Sequence, residues 1–266
     1  MPERAIGVFD SGVGGLTVFK ELMRLLPAED LVYLGDTARV PYGTKSADTV
    51  RRYSLEAASF LVSQGVKALV VACNTASSVA LPTLQEHFDI PVIGVIEPGA
   101  RRAVELTRCG IVGVIGTEGT VKSGAYTRAI QAVGPELQVA SAACPLFVPL
   151  AEEGWANHEV ALLTAREYLA PLVAQGIDAL VLGCTHYPLL KSTLAGVLGR
   201  DVLLVDSAEE TANSVAEKLE AVGMLRSVPG GGHRRFFVTD VPTRFQRVGG
   251  AFLGAPLESV TQVAID

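Results

Sequence analysis

The sequence predicts an α/β fold made of two pseudo-symmetric domains, each with three layers around a parallel sheet. Short apolar runs alternate with helix-like periodicity along the whole chain. These runs are continuously apolar, as in strands that helices cover on both faces. Three pairs of segments also resemble each other at offsets of about 110 residues. With 266 residues, the chain has the length of one large or two small domains.

The elements are predicted in chain order from these patterns. Strands are expected at residues 5–9, 31–34, 68–72, 92–96, 111–115, 179–182, 202–205 and 236–239. Helical periodicity covers residues 16–26, where Pro27 closes the helix, and residues 160–174. The segment from Ser207 to Glu210 has the pattern of a capping box, which predicts a helix from Ser207 to about Met224.

The internal repeat predicts how the chain divides into domains. Residues 6–11 resemble 112–117, residues 68–75 resemble 179–186, and residues 91–95 resemble 201–205. We expect a first domain of residues 1–97 plus 208–266 and a second domain of residues 98–207. Parallel α/β sheets bind ligands at the carboxyl ends of their strands, so the active site is expected in the cleft between the domains.

Composition and charge exclude several classes of protein. The hydrophobic fraction of 49% predicts a large core, and the net charge of −6 offers no basic field for nucleic acid. The apolar runs are far shorter than the ~18–20 residues that a membrane-spanning helix needs. The first ten residues lack a secretory signal, since Asp10 interrupts the apolar run. We therefore expect a cytoplasmic protein without membrane or nucleic-acid partners.

The four cysteines, at positions 73, 109, 144 and 184, form no CxxC pair, so neither a structural metal nor a disulfide is expected. Cys73 and Cys184 end repeat-equivalent strands and precede helices predicted to begin near Ala76 and Pro188. A helix N-terminus offers free N–H donors and can lower the pKa of a thiol. Cys109 and Cys144 lack this context and are expected to be core or surface thiols.

Two similar thiols on opposite sides of a cleft suit the inversion of a carbon acid. One thiolate would remove the Cα proton, and the opposite thiol would protonate the carbanion from the other face. The glycine-rich segment 10–17 matches neither a dinucleotide-binding nor a Walker loop. It is expected to approach an anionic ligand, or to be a structural turn. No lysine is placed for a Schiff-base cofactor, and no metal site is indicated.

Four motifs resemble those of the glutamate racemase family. They are Asp10-Ser-Gly-Val-Gly-Gly15, Pro41-Tyr-Gly43, Cys73-Asn-Thr-Ala-Ser77 and Gly183-Cys-Thr-His-Tyr-Pro188, and the similarity extends from the first strand to Asp240. The resemblance implies racemisation of L-glutamate to D-glutamate for the bacterial cell wall, without a cofactor. It also implies a small-molecule substrate and a homodimer.

The resemblance further assigns roles to individual residues. Cys73 and Cys184 would be the two catalytic acid/bases, with Cys73 acting on the D-face and Cys184 on the L-face. Asp10 and His186 would tune the two thiols, and Glu152, preferred over Glu153, would be a third auxiliary group. The implied substrate-binding residues are Asp10, Ser11, Pro41, Tyr42, Gly43, Asn74, Thr75, Thr117, Thr185 and His186.

Two alternatives stay open at this point. An aspartate or hydantoin racemase on the same scaffold would share both thiols, and a non-enzymatic anion-binding protein would share the two-domain cleft. Some members of the family carry an N-terminal extension that is associated with activation by a cell-wall precursor. Because the first strand is predicted from about Ala5, we expect basal activity without a nucleotide-sugar activator.

Overall fold

The computed structural model describes residues 2–226 and 231–265, which form two parallel sheets with helices on both sides. The strands are β1 (Ile6–Asp10), β2 (Leu31–Gly35), β3 (Ala68–Val71), β4 (Val92–Gly94), β5 (Ile111–Gly116), β6 (Gln138–Ala143), β7 (Ala179–Gly183), β8 (Leu203–Asp206), β9 (Arg234–Val238) and β10 (Thr261–Gln262). The first sheet has the order β10-β9-β2-β1-β3-β4, and the second has the order β6-β5-β7-β8. The predicted α/β class is confirmed.

Eleven helices connect the described strands. They are α1 (Leu16–Leu25), α2 (Ala47–Ser63), α3 (Asn74–His87), α4 (Ile96–Leu106), α5 (Glu118–Ser123), α6 (Ala125–Val133), α7 (Phe147–Glu152), α8 (Glu159–Val173), α9 (Lys191–Leu198), α10 (Ser207–Ala221) and α11 (Pro242–Leu253). Two short 3-10 helices cover Tyr42–Thr44 and Tyr187–Leu190. In the described part of the chain, no helix has both the length and the apolar character to cross a membrane.

The continuously apolar strands arise because both faces of the first sheet are buried. Ile6 and Val8 of β1 pack into one apolar layer, whereas Phe9 packs into the layer on the opposite face. Successive side chains of a strand point to opposite faces, so a strand between two apolar layers needs apolar residues at every position. This explains why the periodicity of the sequence indicated parallel strands.

Two strands were not predicted from the sequence, and the start of α10 differs from its prediction. The strand β6 was missed because its sequence, QVASAA, mixes exposed and half-buried positions at the edge of the second sheet. The strand β10 has only two residues, both exposed. The N-cap of α10 is Asp206, not Ser207, because Asp206 Oδ1 accepts a hydrogen bond of 2.9 Å from Ala208 N. Ser207 is the first helical residue and is buried.

The parallel arrangement places functional segments at corresponding strand ends. In the first sheet β1 pairs with β3, and in the second sheet β5 pairs with β7. Each of these four strands runs directly into a segment that lines one shared cavity. The first sheet also includes β9 and β10 from the C-terminal part of the chain. The boundaries at residues 97 and 207 stay a prediction.

Candidate active site

A narrow cavity of about 60 Å³ lies among the loops that follow β1, β3, β5 and β7. Its lining contains every site residue expected from the sequence except Asp10, which is buried at the end of β1. These lining residues are Ser11, Pro41, Tyr42, Gly43, Cys73, Asn74, Thr75, Thr117, Glu152, Cys184, Thr185 and His186. Gly12, Val40 and Val148 complete the wall. Segments that are far apart in sequence therefore meet in one place.

Cys73 is the N-cap of α3 and is 5% exposed. Its thiol donates to Ser11 Oγ at 3.7 Å. Burial raises the pKa of Cys73 to about 12, and the charge of Asp10 adds to the rise, against hydrogen bonds from Ala76 and Ser11. The expectation that the helix start lowers this pKa is therefore wrong, because desolvation outweighs the helix.

Cys184 has a different setting, although its exposure of 6% is similar. It directly follows β7 and lies three residues before the 3-10 helix Tyr187–Leu190, so it caps no regular α-helix. Its sulfur lies 3.9 Å from Nδ1 of His186. The helix predicted near Pro188 is thus a 3-10 turn, and α9 begins only at Lys191.

His186 links Cys184 to two charged side chains. Its Nε2 lies 3.0 Å from Glu152 Oε1, and Nη2 of Arg244 donates to Glu152 Oε2 at 3.3 Å. Burial alone would lower the pKa of His186, but hydrogen bonds with Cys184 and Glu152 and the charges of Cys184 and Asp10 raise it to about 10. The same hydrogen bond from His186 lowers the pKa of Glu152, with support from the charge of Arg244. The imidazole is therefore favoured in its protonated form.

The charge of Asp10 acts on Cys73 and on His186, the neighbour of Cys184. Its Oδ2 accepts a hydrogen bond of 2.9 Å from Gly12 N, whereas its buried Oδ1 has no partner among residues 2–226 and 231–265. Burial raises the pKa of Asp10, and the charge of His186 opposes this rise. When ionised, the carboxylate disfavours a thiolate at Cys73 and favours the imidazolium at His186.

A triangle of threonine hydroxyls joins the two sheets at the cavity. The oxygen of Thr75 lies 2.9 Å from that of Thr117 and 3.3 Å from that of Thr120, and the last two are 3.0 Å apart. Thr117 is also the N-cap of α5, accepting from Thr120 N. Sequence reasoning missed Thr120, although its spacing of three from Thr117 matches the N-cap pattern.

The glycine-rich loop after β1 packs against the second sheet. A Cβ atom on Gly14 would lie 2.2 Å from Thr185 Oγ1 and 2.5 Å from His186 Nδ1. Thr17 Oγ1 also lies 3.2 Å from the carbonyl oxygen of Thr185. The loop thus combines both expectations: Ser11 and Gly12 line the cavity, and Gly14 permits close packing between the two halves.

Several groups near the cavity carry no sequence signal of their own. Tyr42 is held by Asp36, whose Oδ2 accepts from the phenol at 2.5 Å, and Arg244 comes from α11, far along the chain.

Cys109 is exposed and Cys144 is buried, and neither lines the cavity. Within the described residues, no three His, Cys, Asp or Glu side chains are grouped so that they could hold a metal ion.

Comparison with known proteins places this arrangement in a family. Residues 6–215 match the model of the Asp/Glu/Hydantoin racemase family. The glutamate racemase of Geobacter metallireducens is 62% identical over 100% of this chain and 98% of its own.

Solved structures that are similar in fold to this chain are also glutamate racemases. The glutamate racemase of Thermus thermophilus, in complex with β-chloro-D-alanine, is 52% identical with a TM-score of 0.90, covering 99% of this chain and 98% of its own. That of Francisella tularensis, in complex with D-glutamate, is 42% identical with a TM-score of 0.93 and the same coverage. The chain therefore belongs to the Asp/Glu/Hydantoin racemase family, in which it is an amino-acid racemase of the glutamate racemase group.

Proposed function

We propose that this racemase interconverts L- and D-glutamate without a cofactor, with Cys73 and Cys184 as the two acid/bases. The observation that carries the proposal is the meeting of two buried thiols in one cavity, each delivered by a different sheet. A planar carbanion can be protonated from either face only if a proton donor lies on each side. Two thiols that reach one cavity from the ends of strands in different sheets suit that arrangement.

In the proposed reaction, one proton leaves Cα and another is added to Cα from the opposite face. In the L-to-D direction, the thiolate of Cys184 takes the Cα proton and becomes a thiol. The thiol of Cys73 then donates its proton to the opposite face of the carbanion and is left as a thiolate. The reverse reaction exchanges these roles. Because only protons are transferred in either direction, no redox partner is needed. The assignment of Cys184 to the L-face follows the family resemblance.

The charges around the cavity suit the L-to-D direction. The pKa of Cys73, raised to about 12, keeps that thiol protonated and ready to donate. The His186 imidazolium, held by Glu152, places a positive charge 3.9 Å from the sulfur of Cys184. In our proposal, Asp10, His186 and Glu152 therefore set which thiol is charged. They act through their charges and do not themselves exchange a proton with Cα.

Polar groups around the cavity suit an amino acid with carboxylates. Hydroxyls of Ser11, Thr75, Thr117 and Thr185 and the amide of Asn74 can donate to carboxylate oxygens. Such donors also stabilise the negative charge that builds up when the Cα proton leaves. We propose that Pro41, Tyr42 and Gly43 close the wall around the substrate. The Francisella tularensis relative with bound D-glutamate supports this substrate class.

The biological setting completes the proposal. We propose that the product supplies D-glutamate to peptidoglycan synthesis in the cytoplasm, and that the chain acts as a homodimer of subunits with domains at 1–97 plus 208–266 and 98–207. The family resemblance supports these assignments. Aspartate and a hydantoin, offered as competing substrates, test the choice of glutamate.

Racemisation in D2O tests the mechanism. Dialysed protein with L-glutamate and no added cofactor should form D-glutamate that carries deuterium at Cα from the first few per cent of reaction, while the remaining L-glutamate keeps its proton. Proton NMR of the Cα signal and chiral chromatography measure both pools. Rapid labelling of L-glutamate, or formation of unlabelled D-glutamate, would contradict the two-thiol proposal. Faster racemisation of aspartate than of glutamate would contradict the substrate.

A further inference from the structure

The side chain of Tyr126, on α6, contacts both thiol-bearing segments. It is 3% exposed, and its hydroxyl donates to Asn74 Oδ1 at 2.7 Å, next to Cys73. Its ring packs on Gly183, the residue before Cys184, where an added Cβ would lie 3.0 Å from the ring carbon Cε2. One buried residue therefore links the two halves of the site from behind the cavity wall.

The contact also fixes which end of the Asn74 amide is free. Burial raises the pKa of Tyr126 above its ordinary value, so the phenol keeps its proton and can donate. With Oδ1 accepting that proton, Asn74 has its Nδ2 left, and this buried nitrogen has no partner in the described part of the chain. Asn74 itself lines the cavity. A buried N–H donor without a partner is costly unless a ligand fills the place.

We propose that Tyr126 is a positioning residue that holds the Asn74 amide so that its N–H groups face a carboxylate of the substrate. The inference rests on the proposed function, since it takes glutamate as the ligand. The terminal amide torsion is broad and twofold, so nothing within Asn74 itself sets this orientation. Without the phenol, the amide carbonyl can turn toward the cavity and repel the carboxylate.

The variant Tyr126→Phe removes the hydroxyl and keeps the ring. We expect the Kd of D-glutamate, measured by calorimetry in a Cys73→Ala background that does not racemise the ligand, to rise about tenfold, as for the loss of a hydrogen bond to a charged group. The kcat should fall less than threefold, because neither thiol contacts the hydroxyl. Since two enantiomers have equal free energy, kcat/KM must fall by the same factor in both directions.

A double-mutant cycle separates positioning from general loosening. Asn74→Ala alone should raise the Kd by about the same factor, and adding Tyr126→Phe to it should change the Kd less than twofold. Tyr187→Phe is the matched control, because this fully buried tyrosine donates to the carbonyl of Cys144 at 2.8 Å. It should lower the thermal midpoint as much as Tyr126→Phe does and leave the Kd within twofold.

Three results would overturn the inference. They are a Kd within twofold of the unsubstituted chain for Tyr126→Phe, an equal rise in Kd with and without Asn74, and a comparable rise for Tyr187→Phe. Failure of the proposed function is read separately, from the turnover of glutamate by the unsubstituted chain. Binding without turnover would sink the proposed function and leave the Kd comparison as the test of Tyr126.

Discussion

The two thiols occupy equivalent places at the ends of β3 and β7, but their surroundings carry opposite charge. Cys73 caps a regular helix and lies beside Ser11 and the carboxyl of Asp10. Cys184 caps no α-helix and lies beside His186, which Glu152 supports. The sheets thus repeat the position of the sulfur, whereas the loops after the strands differ in what they place next to it.

The difference matters because a two-base racemase needs one thiol and one thiolate at the same moment. In two identical environments either sulfur could carry the charge equally well, because neighbouring groups of the same kind can share one proton. A neighbouring anion raises the pKa of a thiol, and a neighbouring imidazolium lowers it. In the proposed mechanism, the asymmetry between the two surroundings therefore selects which sulfur is the base and which is the proton donor.

The largest effect should come from removing either sulfur. Cys73→Ala and Cys184→Ala should each lower kcat by about 10³-fold or more, since each removes one of the two proposed acid/bases. Cys109→Ala and Cys144→Ala are the controls and should change the rate at most a few-fold, because neither thiol lines the cavity. Steady-state rates with circular dichroism as a fold check give the measurement. A loss as large for Cys109→Ala would break the comparison.

A smaller effect should follow from neutralising the support of His186. Glu152→Gln replaces a carboxylate, whose hydrogen bond with His186 is one of the interactions that raise the pKa of this imidazole, with a neutral amide. The imidazolium should then lose its proton at lower pH, so the alkaline limb of kcat/KM moves to lower pH, with a loss of about tenfold where it titrates. Glu153→Gln is the control, because it changes the net charge by the same amount at an exposed neighbouring residue. An equal shift for Glu153→Gln would show that Glu152 has no special role.

The smallest effect should come from Arg244. Its guanidinium lowers the pKa of Glu152, but the side chain is 62% exposed, so solvent screens most of the interaction. Arg244→Gln should reduce kcat/KM by about threefold at low ionic strength, and the reduction should vanish at high salt. Arg247→Gln, on the same helix and also exposed, controls for net charge. A salt-independent loss would point to a steric role instead.

The sequence predicted the features that depend on local pattern. The buried strands β3 and β7 are composed of apolar residues and glycine, and the motifs around Cys73 and Cys184 follow them closely, so both the type and the place of these strands were readable. The edge strand β6 was missed because half of its surface faces solvent. Arg244 was missed because its approach to Glu152 depends on how α11 returns to the cavity.

The error about the pKa of Cys73 has a different origin. The helix start was predicted correctly to within two residues, since α3 begins at Asn74. The sequence does not give the extent of burial or the distance to Asp10, and these two quantities outweigh the helix. Local motifs therefore located the thiols, whereas their ionisation is a property of the assembled site.

Gly14 allows the loop after β1 to lie in close contact with the segment after β7. Its missing side chain lets the backbone of the first half rest directly on Thr185 and His186 of the second half. Any larger residue there would act as a wedge at the position where the two halves meet. Alanine at this position would force Thr185 and His186 to shift, so a single methyl group outside the cavity would disturb the surroundings of Cys184.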